Sequence, residues 1–178
     1  MTILHHDIEI RFAAEDAGTF TGAANVYGTV DSYNTVFMPG AFAASLIEHR
    51  AAGTMPMLLL QHSPSVVIGA WLEIREAPSG LFVRGRLDLT SPSGRKAHAM
   101  MKAGELGGLS VGFRRRLTDT LADGTVAIRQ ADLIEISPVR RPSNPGARVT
   151  DVRSATAGPA GLVNHIRRAA AIIGGKHA

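Results

Sequence analysis

A serine at position 110, histidines at several positions and carboxylates at 132 and 135 are the residues of this 178-residue chain whose chemistry could make and break covalent bonds. A serine hydroxyl is a weak nucleophile until an adjacent base takes its proton. Histidine is the usual base, because its ordinary pKa lies near neutrality. A third group then orients the imidazole and stabilises its protonated form. Of the seven histidines, His5, His6 and His177 lie near the termini and His165 in a tail. His49 and His98 fall on predicted helices, on their polar sides. His62 differs, because it ends the apolar run Met57-Leu58-Leu59-Leu60 and precedes Ser63-Pro64. It is expected at a strand edge or barrel mouth, as a base or as an ordinary polar strand end. Glu135 alternates in phase with Leu133 and Ser137 within Asp132–Ser137. It is either a carboxylate needing a buried partner or an acid on a half-exposed face.

The strand that must carry the serine is Gly107-Gly108-Leu109-Ser110-Val111-Gly112-Phe113. Leu109, Val111 and Phe113 share one face, and Ser110 shares the other with two glycines. Glycine inside a strand often marks close approach of another backbone. Gly108 and Gly112 are thus expected to leave room for an extended peptide beside Ser110. A tight barrel corner with an incidental serine fits the same heptapeptide.

Around this strand the pattern is mostly β. Ile8–Phe12 and Thr19–Tyr27 alternate as strands, and a loop with Asp31 and Asn34 follows. Ala41 to Arg50 has helical spacing, with Gly53 as its stop. Pro56–His62 reads as a strand broken at Ser63-Pro64-Ser65. Val66–Glu76 and Leu81–Leu89 form a hairpin around Ala77-Pro78-Ser79-Gly80. Ser91 and Pro92 open a second helix that Gly104 ends. The Ser110 strand runs on to Thr118 and returns as Val126–Val139. Short strands with only two helices in the body predict a mainly β fold, a small closed β-barrel in which closure hides the edges. The barrel domain is placed at residues 1–150. Residues 151–178, rich in Ala and Gly, read as a flexible basic tail, with a short amphipathic helix at Leu162–Ile173.

Composition narrows the function. There is no cysteine, so disulfides, thiolate nucleophiles and cysteine metal sites are excluded. No metal-ligand spacing or phosphate-binding loop is present, and no cofactor is expected. No apolar run reaches the roughly 18 residues that span a bilayer. The net charge is +4, of which the tail holds +3, so the body lacks the basic face of a dedicated nucleic-acid binder.

Several segments together resemble a known family. They are Gly22–Gly28, Asp31, Met38–Phe42, Leu59–His62, Ile68-Gly69, Gly80–Val83, Ala103–Phe113, Asp132–Val139 and Pro142–Pro145. In order and spacing, from about Phe20 to Val149, they resemble the prohead proteases of tailed bacteriophages. These are serine proteases that share a fold with the herpesvirus maturation protease.

The resemblance implies a barrel of the herpesvirus-protease type, with Ser110 as nucleophile and His62 as base. Where the herpesvirus relatives carry a second histidine, this chain carries Glu135, which would fill the third role. Arg140-Arg141 stands near the position of an arginine pair that helps form the oxyanion hole in those relatives. The implied activity is a serine endopeptidase of capsid maturation. Its partners would be the major capsid protein with its scaffold segment, and further copies of itself as a dimer or larger assembly. It would act inside the immature capsid in the host cytoplasm. Two other functions fit the residues less fully: a non-enzymatic assembly or scaffold-binding module on the same barrel, and a nucleic-acid binder acting through the basic tail.

Overall fold

A computed structural model describes residues 17–154. The expected strand at Ile8–Phe12, the tail beyond 154 and its Leu162–Ile173 helix lie outside the described residues. The described elements are, in order, β1 (Thr19–Val26), β2 (Thr35–Phe37), α1 (Ala43–Ala51), β3 (Met57–Leu60), β4 (Ser63–Ala77), β5 (Gly80–Leu87), α2 (Pro92–Lys102), β6 (Gly108–Thr120), β7 (Val126–Val139) and β8 (Arg148–Val152). The fold is mainly β, with two helices.

The strands close on themselves. The sheet runs β2-β7-β3-β4-β5-β1-β8-β6, and β6 pairs again with β7. Seven strands therefore form a ring, with the short β2 as an addition to β7. The inner faces meet over Phe20, Leu58, Ile68, Leu81, Leu109 and Ile136, each at most 1% exposed. Each such side chain contributes about 1.5–3 kcal/mol by leaving water. Phe20 meets Trp71 edge-on at 5.6 Å between ring centroids, and Phe37 meets Phe113 edge-on at 4.9 Å.

β7 is the spine. One edge pairs along its length with β6, antiparallel. The other edge takes two short parallel partners, β2 at Val126–Ile128 and β3 at Glu135-Ile136. Between them this edge of β7 has no strand neighbour among the described residues, and α1 and the residues before it fill the gap. The Ala131 N–H donates to the Ala41 carbonyl (2.9 Å). The Leu133 N–H donates to Ser45 Oγ (2.9 Å), and His49 Nε2 donates to the Leu133 carbonyl (2.9 Å). Buried backbone polar groups need partners, and here two helix side chains and the Ala41 carbonyl supply them. His49, which the sequence placed on the helix's polar side, is therefore also a structural link to β7.

Most of the local reading holds. Ser91 caps α2 by accepting from the Gly94 N–H (3.0 Å). The β4–β5 hairpin turns through Pro78-Ser79, and β7 has the predicted bounds. The break after β3 is displaced, however. Ser63-Pro64-Ser65 begins β4, where a proline near the start of a strand is tolerated. The chain turns at Gln61-His62 instead. Their φ angles are 49° and 61°, and Leu60 pairs with Ser63 across them. Two residues at positive φ between paired strands make the tight hairpin turn whose twist matches its strands.

Candidate active site

His62 owes its place to that turn. β3 lies parallel to the end of β7, so the turn after it sits beside Ser137 and Pro138. The Gln61 N–H donates to the Pro138 carbonyl (3.3 Å), and the His62 N–H donates to Ser137 Oγ (3.0 Å). The left-handed region costs an unassisted non-glycine residue about 1–2 kcal/mol, and Gln, unlike Asn or His, is not enriched there. Strain of this kind concentrates at functional sites.

Glu135 meets the imidazole from the neighbouring strand. His62 Nδ1 stands 2.5 Å from Glu135 Oε1. The Glu135 side chain is 9% exposed and that of His62 44%. A carboxylate can only accept, so Nδ1 carries a proton, and in the neutral ring Nε2 is then the nitrogen with the lone pair. The second carboxylate oxygen, Oε2, accepts from Ser137 Oγ at 2.6 Å. Both oxygens of the buried acid are thus satisfied. Its bond to Nδ1 raises the His62 pKa above 6.5, with a further Coulombic contribution, against an opposing effect of partial burial.

Ser110 lies on β6 directly opposite Ser137, and Gly112 lies opposite Glu135. Paired residues share a face, so serine, carboxylate and the histidine that binds it converge on one side of the β6–β7 pair. Ser110 and His62 line one open cleft of about 230 Å³ with Asn25, Asp31, Tyr33 and Asn144. Among the described residues no hydrogen bond joins Ser110 Oγ to His62. In unliganded sites such bonds are commonly long and tighten when substrate binds.

The two glycines beside Ser110 do not hold space open for a peptide, contrary to the reading from sequence. A Cβ on Gly112 would stand 2.3 Å from Glu135 Oε1, and a Cβ on Gly108 would stand 2.5 Å from Pro142 Cδ. Each glycine makes room for a neighbour in the same chain: one for the carboxylate, the other for the loop after β7. An open approach to Ser110 exists elsewhere. β8 pairs with β6 only at Gly108, so beyond Leu109 that edge of β6 has no strand partner among the described residues.

The loop after β7 is tied down. Asn144 Nδ2 donates to the Val26 carbonyl (2.9 Å), and Asn144 Oδ1 accepts from the Gly146 N–H (3.0 Å). The Ser143 carbonyl accepts from the Ser32 N–H (3.1 Å), joining this loop to the one after β1. The arginine pair sits differently from Ser110 and His62. Arg140 Nη2 binds Glu105 Oε2 at 3.1 Å, both side chains are about half exposed, and neither Arg140 nor Arg141 lines the cleft. The charged residues that do line it are Asp31 and Arg115.

Two contributors escape a reading of spacing alone. Ser137 shares a phase with Glu135, yet nothing in the sequence says that its hydroxyl meets both Glu135 and His62. Asn144 stands in Ser143-Asn144-Pro145-Gly146, a turn signal that does not reveal its bond to β1.

The arrangement can run nucleophilic acyl transfer: a strand-borne hydroxyl, a neutral imidazole with a free Nε2, and a buried carboxylate fixing the tautomer. Comparison with known proteins points the same way. A family model described as caudovirus prohead serine protease matches residues 6–159. The prohead protease of Enterobacteria phage HK97 is 28% identical over 156 residues, 86% of this chain and 68% of that protein. The capsid assembly protease of bacteriophage T4 is similar in structure, with a TM-score of 0.57 at 14% identity, covering 70% of this chain and 82% of that one. The KSHV protease, solved with a hexapeptide phosphonate inhibitor, gives a TM-score of 0.48 at 14% identity over 75% of this chain and 64% of that one. The T4 likeness is one of fold.

Proposed function

This chain belongs to the caudovirus prohead serine protease family, and from that premise we propose that it is a serine endopeptidase of capsid maturation. Its substrates are the scaffold segment of the major capsid protein and further copies of itself. It works as a dimer or larger assembly inside the immature capsid, in the host cytoplasm. The observation that carries the reading is the contact of 2.5 Å between His62 Nδ1 and Glu135 Oε1, on the strand that pairs with Ser110.

In this reading the substrate lies extended along the free edge of β6, held by main-chain hydrogen bonds. His62 Nε2 takes the Ser110 hydroxyl proton while Oγ attacks the peptide carbonyl carbon. Glu135 stabilises the imidazolium that forms. The C–N bond breaks, His62 gives its proton to the leaving amine, and an ester remains on Ser110. Water, deprotonated by His62, then releases the acid. Negative charge on the carbonyl oxygen is met by backbone N–H groups around Val139 to Arg141; the side chains of Arg140 and Arg141 stand outside the cleft and are given no part in it. The tail expected from residue 151 begins later, because Asp151 and Val152 belong to β8; the chain beyond β8 is the segment offered to self-cleavage or to docking on scaffold.

The test is intact mass spectrometry after co-expression with the phage's own major capsid protein, for wild type and Ser110→Ala. Truncated capsid protein or truncated self in the wild type alone supports the reading. Full-length masses in both, with shells still assembling, would replace it with the assembly module. Identical truncations in both would assign the cutting to another protease.

A further inference from the structure

Ser137 is fully buried, and its hydroxyl makes two bonds at once. It donates to Glu135 Oε2 at 2.6 Å and accepts from the His62 main-chain N–H at 3.0 Å. The first bond takes up the carboxylate oxygen that does not face the imidazole. The second holds a residue whose φ is 61°, in a turn whose other member, Gln61, has φ 49°. Neither position has the Gly, Asn or Asp that such turns favour. The turn is therefore poorly specified by its own residues and depends on bonds from outside it.

We propose that Ser137 is a positioning residue: one hydroxyl latches the backbone of the base to the carboxylate that orients its ring. Without the latch, Glu135 and His62 approach each other from separate elements. β7 fixes the carboxylate, and a left-handed turn two residues long fixes the imidazole. With it, backbone and side chain of His62 are referred to the same carboxylate, so ring direction and turn conformation are set together. Glu135 is also aimed, because its outer oxygen accepts from a buried hydroxyl on its own strand. The same oxygen of Ser137 cannot perform either task if it is removed or replaced by a weak donor. Ser137 touches neither the substrate nor the reacting atoms and acts only through His62 and Glu135.

The proposal rests on the protease reading for its catalytic consequence but not for its structural one, and the test separates the two. In the full-length, 15N-labelled protein, the His62 Nδ1 proton is expected as a slowly exchanging low-field signal, and the His62 pKa is read by titration. Ser137→Ala should lose that signal and bring the pKa down towards its ordinary value. With a capsid-derived peptide as substrate, kcat should fall about tenfold to a hundredfold with KM nearly unchanged. Ser137→Thr, which keeps the hydroxyl, should restore both. If Ser137→Ala fails to fold, Ser137→Cys keeps the volume with a weak donor, and loss of the signal there supports the latch. Retention of the signal and of kcat in Ser137→Ala, or in Ser137→Cys, would overturn it. If Ser110→Ala leaves processing unchanged, the protease reading fails, while the two spectroscopic readouts still decide the latch.

Discussion

Gly112 and Glu135 face each other across the β6–β7 pair, and the carboxylate fills the space that a side chain at 112 would need. A methyl group there would stand 2.3 Å from Oε1 and 2.8 Å from Cγ. Gly112→Ala is therefore expected to push the carboxylate off His62. Turnover should fall about tenfold or more, the scale of one hydrogen bond to a charged group. Overpacking should also lower stability by about 1–3 kcal/mol. Peptidase assays beside thermal melts check both, and a variant with wild-type turnover would mean that the carboxylate tolerates displacement.

His62 must be neutral to accept a proton from Ser110. Its pKa is raised, first by the bond to Glu135, so the acid limb of the pH–rate profile should lie above pH 6.5. Stability runs the opposite way. A raised pKa stabilises the fold fully below the unfolded value, and that contribution is lost as pH rises through the folded value. This contact thus stabilises most at the acidic pH where turnover is lowest. Glu135→Gln should move the acid limb down towards 6.5. An amide can present the wrong tautomer to the ring, so kcat should also fall by on the order of 10³–10⁴. A pH–rate series on both proteins is the measurement.

Gln61 occupies a left-handed position that asparagine tolerates better. Gln61→Asn should stabilise the protein by about 0.5–1 kcal/mol, by relieving part of the strain, with turnover unchanged. Denaturant unfolding at constant m would show it. A loss of stability would mean that the Gln61 side chain makes a compensating contribution.

Asp132, buried on β7, binds the guanidinium groups of both Arg114 and Arg116, and Arg116 also holds Glu48 of α1. The Arg114 hydrogen bond leads in lowering the Asp132 pKa, and the Arg116 hydrogen bond leads in lowering that of Glu48. A depressed carboxylate stabilises above its unfolded pKa, and the contribution disappears as pH falls through the folded value. Asp132→Asn should therefore lower Tm at neutral pH and flatten the fall of Tm in acid. Salt should shrink the difference, because the arginine side chains are partly open to solvent. Melts at two ionic strengths across pH 2–7 decide it.

Much of this was legible in the residues, where local pattern and tertiary fold agree. The alternation of β7, the Pro78-Ser79 hairpin and the Ser91 cap all follow from short-range chemistry. What escaped depends on a second segment. β2 is three residues long and exists because β7 offers an edge to it. β8 (Arg148–Val152) has its two valines three apart and so shows no strand alternation, and the change of composition beginning there also hid it. The Gln61-His62 turn carries no turn residues, since its support comes from Ser137 and Pro138. The link from His49 to β7 escaped because helical spacing does not show a gap in a distant sheet. Gly108 and Gly112 were read correctly as close approaches, but the occupants are Pro142 and Glu135.

The ring ends where the described chain ends. β8 joins β1 near the start, with Phe20 paired to Val152, and meets β6 at Gly108, two residues from Ser110. The Leu109 N–H donates to the Ala147 carbonyl, and the Val149 N–H donates to the Gly107 carbonyl. A chain made from its N-terminus therefore cannot give the start of the serine-bearing strand its second neighbour until residues 147–149 have been made. On this topology the ring closes through a strand made after all three of His62, Ser110 and Glu135, so the element that completes the barrel is the last of its described strands to be synthesised.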